Sequence, residues 1–311
     1  MLISVFLLFI AALFIYVSKI DKYEKSFLIK VLIVILLWNF IWLVFVQAEL
    51  FYKGVYTYGS DAQYYYDQAL IAIESSRPFN TAIHSRLAPL YVFFEVLVLE
   101  MSPNLSSIWI KISNVVLVEV FFVILYFWLR RYVKNKNLTL SIILMFGLNG
   151  IVTWTALREL KDTLFILLVL INLSVLDYLL RNGRSLLAVL FSVGMSILFF
   201  YLRMFATALP FGLLIVFIIA YRKEVKKELF LWFGLAILFI AVLQRNRIRW
   251  FYTGLLYYAG RFKEPLEAVT NNVLLQYILA PFRFIIGPGP IRALASSDVF
   301  VVTTNVGNIL I

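Results

Sequence analysis

The chain has 311 residues, of which 63% are hydrophobic and 14% are charged, and its formal net charge is +11. Ordinary soluble domains contain about 45–50% apolar and about 25% charged residues. A water-soluble globule could not hide this much apolar surface, so the composition excludes a soluble domain and predicts an integral membrane protein. The lack of cysteine excludes disulfides, thiolate metal sites and a cysteine nucleophile.

The excess of Lys and Arg is distributed in short clusters between apolar runs. Such clusters are typical of cytoplasmic loops that face anionic lipid, which favours membrane lipids over nucleic acid as partners of the positive charge. The clusters are Lys19, Lys22 and Lys25; Arg130, Arg131, Lys134 and Lys136; Arg181 and Arg184; and Arg222, Lys223, Lys226 and Lys227. The positive-inside rule predicts that these four loops are cytoplasmic and that the N-terminus lies outside.

Eight apolar runs are predicted to form membrane-spanning helices, because a bilayer core about 30 Å thick needs roughly 20 apolar residues. They are residues 2–18, 27–46, 108–129, 138–155, 163–180, 185–201, 204–220 and 229–243. The first run has no basic start and no small-residue cleavage site, which favours a membrane anchor over a signal peptide. The expected fold is an all-α, polytopic membrane bundle with about eight or more spans in a single transmembrane domain.

A further apolar helix is predicted for residues 88–102, within the long first outer segment, residues 47–103. This helix is only about 15 residues long and includes Glu95 and Glu100. The basic clusters fall on alternate loops only when this helix does not cross the membrane. We therefore expect it to be re-entrant or to lie on the surface.

The same outer segment contains YGSDAQYYYDQALIAIESS, residues 58–76, which is predicted to form a helix that begins near Asp61. Asp61 and Tyr65 share one face of this helix, and Asp67 lies on another. An acid in the first turn of a helix just outside the membrane is well placed to act as a general base. Capping of its own helix explains the same acid, and the spacing does not decide between the two.

The second outer turn, WTALRELKD at residues 154–162, places four charges between two predicted spans. They are Arg158, Glu159, Lys161 and Asp162. Arg and Lys are typical phosphate ligands, and Glu and Asp serve as bases or metal ligands. A solvated turn that neutralises its own charges is the alternative.

Several arginines are predicted to lie outside, against the positive-inside bias. Among them are Arg86, ahead of the non-crossing helix, and Arg203, in a tight outer turn. A lipid-phosphate substrate would compensate these charges, and ordinary lipid headgroups are the alternative for any one of them. Glu119, in the middle of span 108–129, is interpreted either as a functional acid or as a neutral side chain hydrogen-bonded between helices.

The order of these segments resembles the membrane glycosyltransferases of the GT-C fold, the superfamily of the dolichyl-phosphate-mannose protein mannosyltransferases. The resemblance depends on SDAQYYYDQA in the first outer segment, RLAPLYVFF at the start of the half-length helix, IWIKISNVVLVEVFFVILYFWLRRYV as the next span, and the charged ALRELKD turn. It covers roughly residues 58–180.

The resemblance implies a transferase of the cell (inner) membrane whose active face is extracytoplasmic. Its donor would be a sugar on a polyprenyl phosphate, and its acceptor a glycan, a lipid or a protein. Asp61 would deprotonate the acceptor, and Glu159 or Asp162 would assist the acceptor or a divalent cation such as Mg²⁺ or Mn²⁺. The substrate-binding residues on this hypothesis are Tyr65, Arg86, Arg158, Lys161, Asp162 and Arg203.

Two other functions are consistent with the sequence. An O-antigen-type polysaccharide polymerase also joins lipid-linked sugars outside the membrane, and it is distinguished by a product of many repeat units. A transporter or flippase is less favoured, because the chain has no two related halves and only one prominent acid within a span.

Overall fold

The structure is a computed structural model, and it describes residues 2–57, 59–85, 87–203 and 206–221. Within these ranges every regular element is a helix, as predicted. The helices are α1 Leu2–Val17, α2 Lys22–Lys53, α3 Gly59–Glu74, α4 Pro78–Ile83, α5 Pro89–Glu100, α6 Ile108–Leu129, α7 Lys136–Gly147, α8 Gly150–Leu157, α9 Asp162–Arg181, α10 Ser185–Leu202 and α11 Leu209–Tyr221. The span predicted for 229–243 lies outside the described residues.

Four helices are long and apolar enough to cross a membrane, namely α2, α6, α9 and α10. A fifth span results when α7 and α8 are counted as one, although they are bent by 52°. The apolar helices α1 and α11 are shorter, with 16 and 13 residues. These helices are those of a multi-spanning membrane protein, but the predicted total of about eight spans is not confirmed by the described residues.

The bend between α7 and α8 departs from the single span predicted for 138–155. Its cause is Asn149, whose side-chain oxygen accepts hydrogen bonds from the backbone N–H groups of Ile151, at 2.9 Å, and Val152, at 3.3 Å. A side-chain cap of this kind satisfies the free N–H groups at the start of a helix. Helix α8 therefore begins anew at Gly150 in a different direction.

Helix α6 is the central helix of the bundle. Its most apolar window is 56% buried, against 28 to 39% in the other three candidate spans. It packs against α1, α2, α5, α7, α8 and α9. Lys111 and Asn114, in its first two turns, are completely buried together with its apolar side chains. Because so many elements meet at α6, its first turns connect segments that are distant in sequence.

The end of the bundle that carries the basic clusters contains several ion pairs. Arg130, after α6, donates to Glu24 of α2 at 2.7 Å. The buried carboxylate of Asp177, near the end of α9, accepts from Arg131 at 2.9 Å and from Arg181 at 2.8 Å. The first outer segment and the turn between α8 and α9 lie at the opposite ends of α6 and α9. The basic loops and the polar loops therefore lie at opposite ends of the bundle, as their alternation along the chain predicts.

The first outer segment folds into α3, α4 and α5. The helix predicted for 88–102 is α5, and its 12 residues give a length of about 18 Å. This is too short to cross an apolar layer of about 30 Å. Glu95 is completely buried on α5, whereas Glu100 is exposed. Helix α3 starts at Gly59, close to the start predicted near Asp61.

Gly147→Ala is expected to destabilise the protein by about 1–3 kcal/mol, the usual effect of overpacking. A Cβ at Gly147 would lie 2.3 Å from Cδ1 and 2.4 Å from Cγ1 of Ile35 on α2. Gly194→Ala is the matched control, because a Cβ there meets nothing within 4 Å, and Ala is preferred to Gly in a helix by roughly 0.5–1 kcal/mol. Unfolding in detergent, followed by circular dichroism, measures both variants, and equal stabilities would contradict the close contact of α2 with α7.

Candidate functional site

Five of the residues predicted to form the site come together from three separated segments. Lys161, just before α9, donates a hydrogen bond to the hydroxyl of Tyr65 on α3. Arg203, just after α10, pairs with Asp162 at 2.5 Å between Nη2 and Oδ1. The negative charge of Asp61 acts on both Tyr65 and Lys161. We call this group, Asp61, Tyr65, Lys161, Asp162 and Arg203, the polar cluster.

The contact between α9 and α10 positions the two outermost charges of the cluster. Asp162 is the first residue of α9, where the helix dipole favours a carboxylate. The guanidinium carbon of Arg203 lies 5.3 Å from the ring centroid of Phe165, one turn further along α9. Phe165 in turn packs on Phe199 of α10, with 5.4 Å between the ring centroids. The pairing of Arg203 with Asp162 therefore follows from the packing of these two helices.

The polar cluster is open at one side and closed beneath. Asp61 is exposed, and its carboxylate accepts no hydrogen bond from the described part of the chain. The side chains of Asp162 and Arg203 are 30% and 39% exposed. Tyr65 is 1% exposed and forms the floor of the cluster. An incoming ligand would meet one unengaged carboxylate and a cationic rim.

Burial and the neighbouring charges shift the pKa values of Tyr65 and Lys161. Burial raises the pKa of Tyr65, and the charges of Asp61 and Asp162 reinforce this effect. Burial lowers the pKa of Lys161, and the positive charge of Arg203 lowers it further. The negative charges of Asp162 and Asp61 oppose this decrease. The hydroxyl of Tyr65 therefore keeps its proton, and its oxygen accepts a hydrogen bond from Lys161.

Arg158 lies beside the start of α3. Its Nη2 is 2.8 Å from the position that a Cβ would take at Gly59, whose φ is +83°. Both the close approach and the left-handed backbone therefore require glycine at this position. The guanidinium carbon is 6.0 Å from the ring centroid of Trp154. The buried Nε donates to no described residue. Because Arg158 approaches Gly59, it brings a further cation to within two residues of Asp61.

Glu159, for which a role in acceptor or cation binding is predicted, pairs with Lys111 and not with a member of the polar cluster. Its side chain is fully buried, and Oε1 accepts from Lys111 at 2.7 Å. Burial raises the pKa of Glu159 to about 7, and the positive charge of Lys111 opposes this rise. A side chain that is inaccessible cannot contact an acceptor, so the acids available to a ligand are Asp61 and Asp162. Arg86, predicted to bind substrate, lies outside the described residues.

Lys111 is not among the residues that the sequence predicts for the site. Its ammonium group donates to Glu159, to Ser107 Oγ at 3.0 Å and to the carbonyl oxygen of Tyr56 at 3.2 Å. A lysine in the first turn of an apolar span is costly unless it is paired. The sequence therefore shows that Lys111 needs a partner, but it does not identify Glu159, which is 48 residues away.

A second buried polar group lies behind the floor of the cluster. The rings of Tyr65 and Tyr91 meet edge to face, with centroids 5.4 Å apart. The Tyr91 hydroxyl accepts from the side-chain amide of Asn114 at 3.0 Å. Burial, followed by the charge of Glu159, raises the pKa of Glu95 well above its ordinary value. Burial thus favours the neutral form of Glu95, which belongs to the interior.

The side chains of the polar cluster do not fit a divalent cation. In the described ranges, no three His, Cys, Asp or Glu side chains are grouped so that they could hold a metal ion. Asp162 is already paired with Arg203, and Asp61 lies within the field of Lys161. These positive charges would repel Mg²⁺ or Mn²⁺, whereas the same arrangement suits an anion.

Comparisons with known proteins identify no relative. No protein-family model matches the chain, and neither a curated protein nor a solved structure matches it.

Lys111→Met is expected to lower the free energy of unfolding by about 3–5 kcal/mol, because it leaves Glu159 buried without its cation. Arg203→Ala is the matched comparison, and its effect on stability should be less than about 1 kcal/mol, since the Arg203–Asp162 pair is partly exposed. Chemical denaturation in detergent measures both. A loss for Arg203→Ala as large as that for Lys111→Met would contradict this difference in burial.

Proposed function

We propose that the protein is a membrane glycosyltransferase, which transfers a sugar from a polyprenyl phosphate to a glycan, lipid or protein acceptor on the extracytoplasmic side. The observation that carries the proposal is the polar cluster itself, in which an unengaged carboxylate adjoins Lys161 and Arg203. An acid that can accept a proton and a cationic rim that can hold a phosphate are the two groups that this transfer needs.

The cations would act on the leaving group. As the bond between the anomeric carbon and the phosphate oxygen breaks, negative charge grows on the phosphate. Lys161 and Arg203 lie on one side of the cluster and offset this charge, and Arg158 adds a third cation near α3. Positive groups that are already in place stabilise the developing charge without reorganisation.

Asp61 would act on the acceptor. Its carboxylate takes the proton of the acceptor hydroxyl while that oxygen forms the new bond to the anomeric carbon. The products are the glycosylated acceptor and the free polyprenyl phosphate, and the proton on Asp61 passes to water. Exposure of Asp61 supports this role, because a base must lie within hydrogen-bond distance of the proton that it removes.

The position of the cluster also favours a lipid-borne donor. Lys161 and Arg203 stand at the ends of two candidate spans, α9 and α10. A phosphate at this level can be bound while its prenyl chain stays in the surrounding lipid. The acceptor would approach from the exposed side of α3.

Asp61→Asn is expected to abolish transfer while the protein remains folded, because the amide cannot take the acceptor proton. Cells that lack the gene should accumulate a glycan or lipid carrier with one sugar fewer, as detected by mass spectrometry of the envelope. The wild-type gene should restore the missing sugar, and Asp61→Asn should not.

Asp67→Asn is the control for this experiment. Asp67 is an exposed acid of the same helix, and its carboxylate accepts a hydrogen bond from Gln63 at 2.7 Å. The Asp67→Asn gene should restore the sugar fully. Restoration by Asp61→Asn to the same extent would refute the assignment of the base.

Arg203→Ala is expected to weaken the binding of geranyl phosphate, a short prenyl phosphate, by at least tenfold, because one of two cations of the rim is lost. Isothermal titration of the purified chain in detergent measures the affinity. Lys136→Ala removes the same charge at the opposite end of the bundle, where Lys136 is 3.6 Å from Asp21, and should change the affinity less than twofold. Equal losses in both variants would mean that only the net charge matters.

A further inference from the structure

Within the glycosyltransferase proposed above, we infer that Lys111 is a positioning residue that holds the turn between α8 and α9 against the start of α3. The turn carries Arg158 and Lys161, and α3 carries Asp61. The buried ammonium of Lys111 thereby keeps the phosphate-binding cations in register with the base, without contacting a substrate itself.

The hydrogen bonds of Lys111 join three segments of the chain. An ammonium group has three N–H donors, and each of these reaches a different segment. One goes to Tyr56 in the loop that enters α3, one to Ser107 at the start of α6, and one to Glu159 in the turn. The Ser107 hydroxyl donates to the same Tyr56 carbonyl oxygen at 2.8 Å, which closes the network.

The residues on either side of Glu159 contact α3. Arg158 lies against Gly59, and Lys161 binds the hydroxyl of Tyr65. The turn therefore crosses the first two turns of α3 with Glu159 directed inward between these two contacts. A rotation of Glu159 would displace both cations together.

The backbone of Glu159 shows that this conformation needs an anchor. Its φ is +56°, in the left-handed region that side chains other than glycine rarely adopt. A turn residue with this backbone persists only when its surroundings hold it in place. The Glu159 side chain is held by its ion pair with Lys111 at 2.7 Å, and Ser107 also interacts with the carboxylate.

The critical comparison is between Lys111→Met and the double variant Lys111→Met/Glu159→Met, measured by thermal unfolding and by isothermal titration with geranyl phosphate. The single variant leaves a buried carboxyl without its cation, so both the melting temperature and the affinity should fall. The double variant removes the carboxyl as well, so the melting temperature should recover. Its affinity should stay at least tenfold below the wild-type value, because nothing holds the turn. Recovery of the affinity together with the melting temperature would overturn the positioning role.

A matched ion pair at the other end of α6 provides the control. Arg130→Met/Glu24→Met removes the pair of Arg130 and Glu24, which are 2.7 Å apart. This double variant should keep an affinity for geranyl phosphate within twofold of the wild type. A loss comparable to that of the Lys111 double variant would show that any ion pair of α6 has the same effect, and would also overturn the positioning role.

A distance measurement tests the position of the turn independently of any ligand. The chain has no native cysteine, so Ser60→Cys on α3 and Leu160→Cys in the turn can be spin-labelled selectively. Pulsed electron paramagnetic resonance should give a narrow distance distribution in the wild-type background and a broad one in the Lys111→Met/Glu159→Met background. An unchanged distribution would refute the inference. Failure of the wild-type chain to bind geranyl phosphate would refute the proposed donor instead, and would leave this result standing.

Discussion

The arrangement of the candidate site depends on one buried ion pair, Lys111 with Glu159. Both side chains are completely buried, and burial of two charges is favourable only when the geometry is good and the remaining donors are satisfied. Here the lysine also binds Ser107 and the Tyr56 carbonyl oxygen, so its desolvation is offset by three acceptors from three segments. A pair of this kind helps to specify which segments meet, because a buried charge is costly without an opposite charge beside it.

The charged side chains at the two ends of α6 differ in their exposure to solvent. At the basic end, Arg130 and Arg131 stay partly exposed and pair with acids of α2 and α9, so water and lipid headgroups share the cost of their charge. At the other end, Lys111 lies one turn inside the helix and is withdrawn from solvent. The ion pairs at the first end are therefore partly open to solvent, whereas the pair at the second end is fully buried next to the candidate site.

The candidate site consists of partly exposed charged side chains above a buried layer. Asp61, Asp162 and Arg203 face outward, where a ligand can exchange with them. Tyr65 lies beneath them and links them to Tyr91 and the buried polar group behind it. Enzymes gain most from groups that are held in place before the reaction starts. The buried side chains supply that rigidity, and the exposed ones supply the chemistry that we propose.

The sequence alone determined the all-helical membrane character, the helix that starts near Asp61, the short helix before α6 and the opposed ends of the bundle, because apolar run length and charge placement are local properties. It also selected the segments that form the polar cluster. The bend at Asn149 was missed, because hydropathy does not register a single capping side chain. Only the tertiary structure decided that Glu159 pairs with the buried Lys111, whereas Lys161 binds the hydroxyl of Tyr65 in the polar cluster. Neighbouring charges in a turn have identical local signals, and the burial of one of them is set by Lys111, 48 residues away.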